Sequence, residues 1–170
     1  MKNSEPKTKK QQIFNKTNLI NISLLILFTT VLGIFTLKDM KLSFEIVAGT
    51  FLIVALLLFL LYKDFIRYKP LIYKNYKTML LVGVLLSGNF IIGRGFYYIL
   101  GGFSIWLGNI DPQLTIYAIP LATGAMLAAL LIDIHAAIVF SVITSLLAGI
   151  WIGSPFYSVF TFASGLTAAF

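Results

Sequence analysis

The chain has 170 residues, of which 59% are hydrophobic and only 11% charged, against roughly 25% charged in a soluble domain. Thirteen bases and six acids cannot coat a water-facing surface of this size, which excludes a soluble domain, and the lack of cysteine excludes disulfides and thiolate metal sites. The net charge of +7 does not point to nucleic acid, because the bases lie in two blocks beside long apolar runs, as in the cytoplasmic loops of membrane proteins.

Residues 1–17 are polar, carry Lys2, Lys7, Lys9, Lys10 and Lys16, and read as a disordered, solvated cytoplasmic tail. Residues 18–37 form a first apolar span. It ends in Phe35-Thr36-Leu37-Lys38 with no small-residue cleavage site, which predicts an uncleaved anchor helix rather than a signal peptide. Residues 38–45 hold two bases and two acids and make a short neutral turn. Residues 46–62 are uncharged, show no polar face at helical spacing, and form a second span. Lys63, Arg67, Lys69, Lys74 and Lys77 follow against the single acid Asp64, with Tyr62, Tyr68, Tyr73 and Tyr76 among them. Bases and aromatics together mark a membrane interface, and Pro70 interrupts any helix there. Two spans separate the two basic blocks, so both belong on the cytoplasmic side of a plasma (inner) membrane, N-terminus included.

A third span, 78–100, contains Gly83, Gly88, Gly93 and Gly95 and one charge, Arg94. Residues 101–113, with Trp106, Asp111 and Pro112 but no base, read as an outside loop. The fourth span, 114–132, is interrupted by Pro120, which removes a backbone donor and bends the helix. Such a position is either a structural kink or a place where unwound backbone faces a ligand. Asp133-Ile134-His135 is a tight inside turn, 136–152 a fifth span, and Gly153-Ser154-Pro155 an outside turn. Residues 156–170 begin a sixth span shorter than the usual ~17–25 residues, which predicts a truncated or fragmentary product.

Small residues recur four apart in the later spans: Gly124 with Ala128, Ala125 with Ala129, Ser145 with Gly149, Gly165 with Ala169. In lipid, helices associate by close backbone approach, so these positions predict packing inside the bundle, or alternatively a self-association surface. Arg94 is a candidate polar or ligand site. It lies far enough along its span to snorkel to the outer interface, or it faces the bundle and grips an anionic group or Asp111. Asp133 and the lone histidine, His135, cannot supply the three or four protein ligands of a catalytic metal centre and read as polar turn residues. No nucleophile elbow, phosphate loop or zinc signature is present.

Four features in order resemble a known family. They are the basic loop YKDFIRYKP (62–70), the span ending near Arg94, the stretch YAIPLATGAMLAALLIDIHAAIVFSVITSLLAG (117–149), and the start of the next span, FYSVFTFASGLTAAF (156–170). Together they resemble the membrane part of bacterial seven-transmembrane receptors with an intracellular HD hydrolase. The stretch 117–149 is the specific one. The resemblance implies an anchor helix, an extracytoplasmic domain, seven spans and a cytoplasmic domain that cleaves cyclic dinucleotides, chiefly cyclic di-AMP. Here only residues 38–45 separate the first two spans, and the chain stops before the last two spans and the hydrolase.

The reading that follows is an all-α, polytopic transmembrane helix bundle of about six spans, the last incomplete. It forms the membrane portion of a signalling receptor, with no catalysis, cofactor or metal of its own. Its expected partners are the lipid bilayer and another membrane protein or a second copy, not nucleic acid. The alternative classes are a vitamin-transporter substrate-binding component or a rod-shape-type membrane scaffold.

Overall fold

Backbone polar groups in hydrocarbon find no water, so a chain this apolar must close its hydrogen bonds within each segment, and helices do so. The computed structural model describes residues 5–37, 44–68, 76–106 and 116–170. Among them are six α-helices, one 3-10 turn and no strand: α1 (Glu5–Thr36), α2 (Phe44–Tyr68), α3 (Tyr76–Trp106), the turn Ile116–Ala118, α4 (Ala122–Leu131), α5 (Ile134–Ile152) and α6 (Pro155–Ala169). The protein is an all-α bundle. Four helices, α1, α2, α3 and α5, are long and apolar enough to cross a membrane.

The helix ends depart from the spans expected above in ways the residues explain. α1 starts at Glu5 and takes in most of the residues expected to form a solvated tail. Lysine and glutamine, which dominate that stretch, are good helix formers. α2 and α3 outlast their apolar runs, with Glu45 in the first turn of α2 and Arg67 in its last, each complementing the helix dipole. The fourth span is not one bent helix. It splits into the 3-10 turn and the ten residues of α4.

The last two turns are built by capping. Asp133 is extended, and its Oδ1 accepts from the Ala136 N–H at 2.7 Å, closing the start of α5. Gly153 adopts φ 72°, a left-handed conformation that a side chain resists, and its N–H donates to the Gly149 carbonyl at 2.9 Å. Ser154 then caps α6, with Pro155 at its first turn.

α1 packs against both α2 and α3, while α4, α5 and α6 pack on one another. The two groups meet where α3 touches α4 and where α5 touches α1 and α2. α5 is the central helix: 56% of it is enclosed, against 28% of the spans in α1 and α2. Outward faces carry Leu52, Leu56, Phe59, Ile92, Ile99 and Leu130, all largely exposed. Such a shell would aggregate in water and suits acyl chains. Some hydroxyls inside helices bond back to their own backbone, as Thr36 does to Leu32 and Ser141 to Ala137, so these need no outside partner.

Candidate functional site

Among the described residues, side-chain contacts at three levels of the bundle join residues 32 or more positions apart. The middle level lies at the break in the fourth span. Proline cannot donate, and the chain around it leaves the helical path from Ile119 to Leu121. The freed carbonyls are taken by side chains. The Asn89 amide on α3 donates to the Leu121 carbonyl at 3.0 Å, and the Thr123 hydroxyl to the Pro120 carbonyl at 2.7 Å. Asn89 is 5% exposed, so this bond is made away from water, where an unmade one would cost most. At 1.5 Å per residue, Asn89 stands about 18 Å beyond Lys77 in the 26-residue membrane stretch of α3, near its middle.

Glycines let the break seat against its neighbours. A Cβ on Gly93 would come 2.7 Å from Leu121 Cδ2. One on Gly124 would come 2.6 Å from the Asn89 amide and 2.7 Å from the Phe140 ring. Gly124, Ala125 and Ala128 are buried. Ser145 and Gly149 lie along the α5–α6 seam, where Ser158 donates to the Ser145 carbonyl at 2.8 Å. Ser158 Cβ lies 2.7 Å from where a Gly149 Cβ would sit.

Arg94 lies one residue beyond Gly93, toward the end of the bundle where α1 finishes. A guanidinium nitrogen donates to the Phe35 carbonyl at 3.2 Å, and its carbon sits 5.9 Å from the Phe35 ring centre. The carbonyls of a last helical turn have no partner inside their own helix and carry the negative end of the dipole. Arg94 thus caps α1 from α3. Its contact is a backbone oxygen of this chain, where sequence reasoning named either snorkelling to the outer interface or a grip on an anionic group or Asp111; Asp111 lies outside the described residues.

At the opposite end, α2 finishes beside the start of α5. His135 Nε2 is 2.8 Å from Asp64 Oδ2, and the imidazole stacks on Tyr68, centroids 3.8 Å apart and planes 13° apart. Asp64 and Tyr68 are four residues apart and share a helix face. Sequence reasoning set His135 aside as a turn residue because it and Asp133 cannot make a metal centre, and it did not see the partner 71 positions away. The signal that could have found it was the pairing of the lone histidine with the lone acid of the basic loop. Among the described residues, no group of three or more His, Asp or Glu is placed to hold a metal ion.

A family model described as "7TM receptor with intracellular HD hydrolase" matches residues 44–170, the greater part of the chain. Neither the curated proteins nor the solved structures contain a match.

Proposed function

This chain belongs to the family of 7TM receptors with intracellular HD hydrolase, and we propose that it acts as the non-catalytic, membrane-embedded relay of such a receptor. In this reading a full-length relative passes the signal to a cytoplasmic domain that hydrolyses cyclic di-AMP. The match over residues 44–170 carries the proposal, because it falls on the membrane region and takes in Asp64, Asn89, Arg94 and His135, although Phe35, the partner of Arg94, precedes it.

The relay mechanism we favour is a change of packing between two states of the bundle. The break at Ile119–Leu121 is its hinge. An unwound segment can change its angles without opening a run of helical hydrogen bonds, and Asn89 on α3 governs one of its carbonyls. The basic segment after α2 supports an orientation with that end in the cytoplasm of the plasma membrane, next to a hydrolase domain, and with Arg94 toward the outside. The lipid bilayer is then the main partner, with self-association through small-residue faces the second.

The test joins the chain in frame to an HD phosphohydrolase domain and reconstitutes the fusion in vesicles with manganese. The chain alone should leave cyclic di-AMP intact, and the fusion should turn it over. Asn89→Ala, which frees the Leu121 carbonyl, should change the turnover number severalfold while the same variant stays folded. Turnover by the chain alone, or a fusion indifferent to Asn89, would contradict the relay reading.

A further inference from the structure

We infer that the contact between Asp64 and His135 is a proton-responsive clasp that ties the end of α2 to the start of α5. α2 and α5 touch over a short stretch only, so a bond at their shared end has leverage over their separation. The last turns of α2 bound the imidazole on two sides. Asp64 meets its edge at Nε2 and Tyr68 covers its face. The His135 side chain is 29% exposed and that of Asp64 41%, so the pair is not enclosed by the bundle, and it lies at the helix ends next to the basic segment that follows α2.

Histidine is the side chain whose charge ordinarily changes between pH 5 and 8. With the ring neutral, the contact is a single hydrogen bond. With the ring protonated and Asp64 ionised, it becomes a charge-assisted bond, roughly twice as strong. The Tyr68 face then adds a cation–π attraction to what was a plain stack. The clasp is therefore tighter with the imidazole charged than with it neutral. Lys63 and Arg67 flank the pair on α2, and Lys77 opens α3. Asp133, before α5, has its Oδ1 on the Ala136 N–H. The first turns of α1 carry Glu5, Lys7, Lys9, Lys10 and Lys16, and α6 has no Asp, Glu, His, Lys or Arg.

That the clasp reports to a hydrolase rests on the receptor reading; its existence does not, and the experiment is chosen accordingly. The chain contains no cysteine, so Arg67→Cys and Ile134→Cys, both exposed positions, take spin labels cleanly. The full chain is placed in nanodiscs, and the distance between labels is measured by pulsed electron resonance at pH 6 and pH 8. The expected result is one short, narrow distance at pH 6 and a several-fold larger share of long distances at pH 8. His135→Gln keeps a hydrogen-bonding side chain but cannot titrate in this range, and it should abolish the difference. Asp64→Asn should do the same if the glutamine variant fails to fold. Equal distance distributions at both pH values in the wild type, or a pH response that survives in the folded variant, would overturn the clasp.

Discussion

Arg94 shows how a single expensive side chain is kept in a membrane. A guanidinium in hydrocarbon costs ~2.5–3.5 kcal/mol or more by insertion scales, and part of that cost is met by the orphan carbonyl of Phe35 and by the ring of the same residue. Arg94→Leu should therefore lower stability in nanodiscs by about 1.5–3 kcal/mol, the worth of a hydrogen bond to a charged group, although it removes a charge from the membrane region. Arg94→Lys should retain part of the loss, because an ammonium still donates to a carbonyl. A melting temperature in Arg94→Leu equal to or above that of the wild type would show that the cap contributes nothing. Gly124 gives a second expectation at this scale. Any larger side chain must displace Asn89 or Phe140. Gly124→Leu should cost about 1–3 kcal/mol, the usual range for over-packing, and Gly88→Leu, with open space at its Cβ, should cost clearly less. Equal melting temperatures for the two variants would remove the packing argument.

Secondary structure was the part most open to reading from residues, because an uncharged run near 20 residues in length has one stable form in lipid. α2, α3, α5 and α6 each contain most of an apolar run, with α2 and α3 continuing well beyond theirs. The fourth span was legible only as a bent helix. Proline accounts for one missing donor, but full unwinding over Ile119–Leu121 also needs Asn89 to receive a carbonyl, and that residue lies 32 positions upstream. The clasp at His135 was hidden for the same reason: spacing within one element says little about what another element delivers. The start of α1 was misleading in a different way, since charge density predicts solvation and says little about helicity. Pro120→Ala separates local from tertiary causes of the break. If Asn89 holds the break open, the variant should show little gain in helix signal by circular dichroism, and the double variant with Asn89→Ala should gain more. A full gain in Pro120→Ala alone would assign the break to proline.

The whole molecule is a membrane bundle in which, among the described residues, the polar contacts of longest sequence separation sit at the two ends and the middle. Arg94 holds α3 to the last turn of α1, Asn89 holds α3 to the broken fourth span, and Asp64 with Tyr68 holds α2 to α5. Much of the packing between them is apolar, made by aliphatic, aromatic and small side chains, which slide more readily than hydrogen-bonded pairs. The relay reading requires that these three levels occupy different depths of one bilayer, with the His135 end in the cytoplasm. Asn75 and Asn109, outside the described residues, fall in the two connecting segments next to α3, one at each end of it. In a chain without cysteine, single cysteines there report which side of the membrane each end faces. In intact cells, a membrane-impermeant thiol reagent should label Asn109→Cys at once and Asn75→Cys only after the membrane is permeabilised. Labelling of Asn75→Cys in intact cells with protection of Asn109→Cys would contradict the account, because it would turn the clasp and the basic segment away from any cytoplasmic hydrolase.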